Sequence, residues 1–179
     1  EVELFDTTYI NFSFEENTGV RSRIKIFKPV DFSAFDIKKK NVNLEQEFSK
    51  KLAAFKPDIV GVSALSDEVD VGLAVSKMTK EWNKKTVVIW GNKAVTMAPE
   101  KILSSQFVDY ACIGEGVEFI IEFVDCINEN KDPKNINNLA YKTEDGSIKK
   151  NPLRPYFQAL DTLPYFDWSI FDERHFIKP

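Results

Sequence analysis

Residues 56–65 read Lys-Pro-Asp-Ile-Val-Gly-Val-Ser-Ala-Leu, and this stretch restricts the possible folds more than any other part of the chain. A turn signal at Lys56-Pro57-Asp58 precedes a short apolar run, Ile59 to Val62, which opens onto small and polar residues at Ser63 to Ser66. A run apolar on both faces and bounded in this way fits a buried central strand of a parallel sheet better than a half-exposed hairpin strand. In an open parallel sheet, ligands lie beyond the carboxyl ends of the strands, which directs attention to Ser63–Ser66.

The flanking segments supply the alternating helices and strands that such a sheet requires. Upstream, Val2 to Phe5 alternates weakly and predicts a first strand; the chain begins at Glu1 without a methionine, which points to an excised piece. Residues 9–43 lack sustained periodicity and predict a long irregular excursion. Leu44, Phe48, Leu52 and Phe55 recur at helical spacing behind an Asn43 N-cap with Gln46 three residues on, predicting a helix packed on the sheet. Beyond the central strand, Val71, Ala74, Val75, Met78 and Trp82 form a helical stripe over 67–84, capped by Ser66 or Asp67. Thr86–Trp90 reads as a second buried strand, 98–105 as a short helix and Phe107–Ile113 as a third strand. A further amphipathic helix follows over 117–130, through Phe119, Ile120, Phe123, Val124 and Ile127. Leu139–Tyr141, the Asp145-Gly146 turn and Ile148 predict a small hairpin. From residue 151 onward, prolines and aromatic residues mark an extended arm.

The fold class is therefore α/β, a mainly parallel sheet with a C-terminal hairpin and arm. The expected organisation is one domain over residues 1–150, followed by the arm at 151–179. A formal charge of −4 gives no electrostatic case for nucleic acid or an anionic membrane, and no apolar run approaches the roughly 20 residues of a membrane span. Cys112 and Cys126 lack the close spacing of a zinc site and read as buried free thiols, which favours a cytoplasmic location. One histidine, His175, cannot serve most triads or metal clusters, so neither catalytic nor metal-ligating residues are expected in this chain.

Six segments in order, LFDTT, the 56–82 stretch, VVIWGNKAVTMAPEKIL, VDYACIGEGVEFIIEFVDCI, NLAYKTEDGSIKKN and LDTLPYFDWSIFDERHF, together resemble the amino-terminal cobalamin-binding domain of cobalamin-dependent radical S-adenosylmethionine enzymes. The resemblance implies a flavodoxin-like (Rossmann-like) doubly wound sheet, a chain that starts at the family's second strand, and an arm that leads to a radical S-adenosylmethionine barrel lying outside it. The barrel would hold S-adenosylmethionine and a [4Fe-4S] cluster. This chain would then hold cobalamin without catalysis of its own, for a methyltransferase-like parent. By the same resemblance Ser63, Ala64, Leu65 and Ser66 line a cavity for the cobalamin nucleotide tail. Gly91, Asn92 and Thr96 match a Gly-Gly-x-His-x-Thr turn, with Asn92 for the second glycine and Ala94 for the histidine. Gly114, Glu115 and Gly116 match a Gly-Glu-Gly-Glu turn, with Val117 for the last acid.

Read from the residues alone, Ser63 and Ser66 are also compatible with helix capping, and Glu115 with a structural turn. Two other functional classes compete with the cofactor domain. One is a degenerate module of the same fold that binds no cofactor and serves interaction or substrate presentation. The other is a phosphoacceptor receiver, for which Asp6 and Asp67 are the available acids.

Overall fold

The computed structural model describes residues 1–11, 32–66 and 68–176 and divides into two compact units, Pro57–Leu163 and Glu1–Lys56 with Pro164–Pro179. Most of the 9–43 excursion, the Asp67 cap and Asp67 as a phosphoacceptor lie outside the described residues.

The unit Pro57–Leu163 is built on five strands in spatial order β3 (Ile59–Ser63), β4 (Val87–Gly91), β5 (Tyr110–Cys112), β6 (Leu139–Lys142) and β7 (Ile148–Lys150). β3, β4 and β5 are parallel neighbours, as their apolar runs predict, and the β6–β7 hairpin extends the sheet antiparallel to β5. Four helices complete the unit: α2 (Val69–Trp82), α3 (Lys93–Met97), α4 (Pro99–Leu103) and α5 (Val117–Asn128). Strand alternation divides the core into two layers. Val88, Trp90, Ala111 and Ala140 pack with Val69, Ala94, Val95, Ile102 and Leu103 from α2, α3 and α4. Ile89, Cys112, Leu139 and Tyr141 pack with Phe119 and Phe123 of α5. Helices thus cover both faces, which is the doubly wound arrangement.

Within this unit three expectations need correction. β3 is not central: it is the edge of the five-stranded sheet, with β4 as its sheet neighbour, and its residues are exposed or half-buried. The fully two-sided burial falls instead on β4, where Val88, Ile89 and Trp90 are all buried. The buried side of α2 is not the Val71–Trp82 stripe but Val69, Gly72, Ser76 and Thr79, rotated toward small residues because the Trp90 ring occupies the space beneath them. Trp90 Nε1–H donates to Ser76 Oγ at 2.9 Å, and the Ser76 hydroxyl donates to the Gly72 carbonyl, so the polar atoms buried here are satisfied. On α5 only the Phe119 and Phe123 side of the apolar surface is buried, leaving Ile120, Ile121 and Val124 exposed.

In the other unit, α1 (Leu44–Phe55) forms where its periodicity predicts, with the Asn43 side chain accepting from the Gln46 N–H at 3.0 Å. Its buried face is Leu44, Phe48 and Leu52, and the Phe5 ring lies 4.9 Å from that of Phe48. Residues 2–5 form no strand, contrary to expectation: Val2 is exposed, and these residues have no ladder partner among the described residues. Among the described residues, the strands of this unit are β1 (Ile10–Asn11) and β2 (Lys40–Asn41), a short parallel pair. Beside them, Asp6 accepts from the Thr8 N–H and hydroxyl and pairs with His175. Burial raises the Asp6 carboxyl, but these partners outweigh it and hold the group below its ordinary range.

Candidate functional site

The parallel register places the ends of β3, β4 and β5 at one edge of the sheet: Ser63 is paired with Gly91, and Trp90 with Ala111 one residue before β5 ends. The three segments singled out from the sequence leave from these ends, and hydrogen bonds tie them together. Asn92 Nδ2 donates to Ser63 Oγ at 3.1 Å, and Ala94 N–H donates to the Ala64 carbonyl at 3.3 Å, joining the β3 and β4 loops. The Thr96 hydroxyl donates to the Asn92 carbonyl at 3.2 Å and accepts from Gly114 N–H at 3.3 Å, joining the β4 and β5 loops. All three segments therefore lie together at one edge of the sheet.

Local backbone explains why these residue types occur here. Asn92 sits at φ 74° and Gly114 at φ +83°, left-handed conformations that asparagine and glycine accept most readily. Asn92 also caps α3, its Oδ1 accepting from Lys93 N–H at 2.7 Å, so this side chain is engaged at both its nitrogen and its oxygen. The helix beginning at Lys93 is absent from the periodicity analysis because five residues are too few to show a helical stripe. At Gly91 and Gly116 an added Cβ would meet no atom within 4 Å, so the rim is open at both positions.

The side chains divide between those exposed at this edge and those engaged elsewhere. Ser63, Leu65 and Ser66 are exposed, whereas Ala64 is buried and serves the core. Ser63 Oγ accepts from Asn92 and retains its own O–H to donate. Ser66 is a turn residue and does not cap α2: the N-cap position is Glu68, whose carboxylate reaches back to accept from Leu65 N–H at 2.8 Å. Glu115 is turned toward the arm, with Oε2 accepting from Phe157 N–H at 2.8 Å. Beneath this turn, burial pushes the Cys112 thiol up to about 11, so it remains protonated at neutral pH. Ala94 is buried where the resembled turn carries histidine, and His175 belongs to the other unit.

Two residues of the rim escaped the sequence reading. Glu68 supports the β3 loop from the N-cap position of the next helix. Asn138, 2% exposed and at φ 70°, donates from Nδ2 to the Glu115 carbonyl at 2.8 Å. The Asn137-Asn138 pair before Leu139 was the one available signal, since asparagine tolerates the left-handed region. Among the described residues, no group of three or more His, Cys, Asp or Glu side chains is placed to hold a metal ion.

Comparison with known proteins bears on the family and the fold. The family described as B12 binding domain matches residues 29–124, more than half of the chain. An uncharacterized methyltransferase of Pyrococcus horikoshii is 32% identical over 125 residues, covering 69% of this chain and 27% of that protein. The anaerobic magnesium-protoporphyrin IX monomethyl ester cyclase of Rubrivivax gelatinosus is 26% identical over 137 residues, covering 74% of this chain and 24% of that protein. The chain thus spans about a quarter of the length of these relatives. Among solved structures, the radical S-adenosylmethionine methyltransferase TsrM of Kitasatospora setae, with cobalamin and a [4Fe-4S] cluster bound, superimposes with a TM-score of 0.55 at 18% identity. That match covers 68% of this chain and 23% of TsrM. The cobalamin-dependent enzyme OxsB, with aqua-cobalamin and S-adenosylmethionine bound, gives 0.56 at 17% identity, over 63% of this chain and 16% of OxsB.

Proposed function

Because the chain belongs to the B12-binding domain family, we propose that its strand-end crevice holds cobalamin, with Ser63–Ser66, Gly91–Thr96 and Gly114–Gly116 as its rim. The observation that carries this assignment is the hydrogen-bonded convergence of the three loops at one sheet edge. The residues suit the group: a broad, flat macrocycle needs backbone free of side chains, and Gly91 and Gly116 provide it. A polar tail needs small donors at a strand end, and the Ser63 and Ser66 hydroxyls answer that need. Ala64, Leu65, Asn92, Thr96 and Glu115 shape the rim around them. These loops contain no histidine, and His175, the one histidine of the chain, stands in no Asp-x-His-x-x-Gly segment, so the loops would offer the cobalt no imidazole.

Bound cobalamin would supply a cobalt centre able to carry a methyl group, while the protein holds and shields it. The chain itself is not catalytic on this reading. Its parent is a cobalamin-dependent radical S-adenosylmethionine enzyme of the methyltransferase type. A barrel of the same parent then holds S-adenosylmethionine and a [4Fe-4S] cluster. Two unpaired thiols, one of them buried, suit a reducing cytoplasm. No helix among the described residues is long and apolar enough to cross a membrane.

The test is a titration with hydroxocobalamin, followed by the visible corrin spectrum and by calorimetry. Saturable binding is expected, weakened by about 1–3 kcal/mol in the Ser63→Ala/Ser66→Ala double variant through loss of hydrogen bonds to the tail. Lack of saturation at high micromolar cobalamin would favour the degenerate module. Equal affinity in the double variant would place the site elsewhere.

A further inference from the structure

The arm leaves the sheet at the same edge as the crevice. β6 runs antiparallel to β5 with Leu139 opposite Cys112, and β7 ends at Lys150 opposite Ala140, so residues 151 onward emerge beside the Gly114–Gly116 turn. They are fastened there rather than released to solvent. Asn151 Nδ2 donates to the Lys134 and Ile136 carbonyls at 2.8 and 2.7 Å. Asn138 Oδ1 accepts from Arg154 N–H at 2.6 Å, Asn138 N–H donates to the Pro152 carbonyl at 2.9 Å, and the Arg154 guanidinium pairs with Glu122 of α5. Phe157 N–H reaches the Glu115 carboxylate.

Asn138 is the centre of this arrangement. Its backbone carbonyl accepts from Ile113 N–H, its amide group bridges the Glu115 carbonyl and the Arg154 N–H, and its backbone N–H holds Pro152. One buried side chain therefore fixes the β5 turn and the arm to each other. As a result, Leu153 is held within van der Waals range of Gly114, its Cδ2 lying 4.0 Å from where a glycine Cβ would be, although 61% of Leu153 remains exposed. An exposed leucine pinned beside an open glycine turn is an apolar surface set in place before any ligand arrives.

We infer that residues 151–157 form a fourth wall of the crevice, presenting Leu153 to the bound corrin, and that Asn138 is the positioning residue for this wall. The inference rests on the crevice being the cobalamin site. Asparagine suits the position because it accepts the left-handed backbone while offering both a donor and an acceptor; glycine would retain the backbone and lose the clamp.

The experiment compares the unaltered chain with Asn138→Gly and Glu115→Ala by hydroxocobalamin titration and by amide hydrogen exchange with and without the cofactor. In the unaltered chain, the Arg154 and Phe157 amides should exchange slowly and gain protection when cobalamin is added. Asn138→Gly should release both amides, abolish the added protection and weaken binding about tenfold. Glu115→Ala, which leaves the buried clamp untouched, should release Phe157 and weaken binding by a smaller factor, and it decides the matter should Asn138→Gly fail to fold. Cobalamin affinity unchanged in the folded variants, or Leu153→Ala binding as tightly as the unaltered chain, would overturn the wall while leaving the crevice assignment standing. Failure of the unaltered chain to bind would overturn both.

Discussion

With its ring fully buried and its indole N–H committed to Ser76, Trp90 leaves the facing helix no room at position 72 for anything larger than glycine. A Cβ there would lie 2.5 Å from Trp90 Cη2 and 2.8 Å from Cζ2, far inside contact distance. Replacing a mid-helix glycine by alanine ordinarily gains about 1 kcal/mol of helix propensity. Forcing a methyl group into a filled core costs about 1–3 kcal/mol or more, and a rigid indole held by a hydrogen bond cannot retreat cheaply. The clash should win. Gly72→Ala is expected to lower stability by about 1–2 kcal/mol in urea denaturation, with the slope unchanged. A net gain would show that the ring shifts freely. Periodicity could not reveal this contact, because it scores Gly72, Ser76 and Thr79 as non-apolar and selects the larger residues one step round the helix. The same blindness hid Asn138, whose partners Glu115 and Arg154 are distant in sequence.

Among elements, the β6–β7 hairpin carries its own pH dependence. The Asp145 carboxylate accepts from the hydroxyl of Thr143 and from the hydroxyl and N–H of Ser147, and these bonds lower its pKa to about 2. A carboxyl with a folded pKa below its unfolded value binds fewer protons when folded, so its contribution is fully present above about pH 4 and disappears as pH falls through about 2. A carbon-detected titration of the Asp145 carboxyl should therefore show a midpoint near 2, and a midpoint close to the ordinary aspartate value would mean that the turn does not hold together in solution. This hairpin was legible because Asp-Gly between short apolar runs is a local signal, as were β4, α1 and α5. Elements defined by distant partners were less legible. Val2–Phe5 has strand-like alternation but no ladder, and the edge position of β3 depends on which strand lies beside it. That the three loops follow strand ends was legible because parallel topology leaves few alternatives, while the bonds linking Asn92 to Ser63 and Thr96 to Gly114 depend on three-dimensional register.

For the whole molecule, the proposed crevice lies entirely within one unit, Pro57–Leu163, and this gives cobalamin binding a thermodynamic signature distinct from general stabilisation. A ligand that binds only the folded form stabilises by RT ln(1 + [L]/Kd), about 2.7 kcal/mol at a hundredfold excess over Kd. For a chain of 179 residues, each kcal/mol raises Tm by roughly 2–4 °C, so saturating cobalamin should raise the transition by roughly 5–10 °C. The increment must also grow with the logarithm of cofactor concentration, which a non-specific solvent effect would not reproduce. Hydrogen exchange supplies the spatial half of the test. Protection should concentrate on the Ser63–Ser66, Gly91–Thr96 and Gly114–Gly116 amides, and the amides of α1 in the other unit should respond only through global unfolding. Calorimetric scans at increasing hydroxocobalamin, read together with exchange at these amides, provide the measurement. A shift in Tm without protection at the three loops would place the binding site off this sheet edge, and protection there without a shift would mean that the affinity is too low to be coupled to folding at the concentrations used.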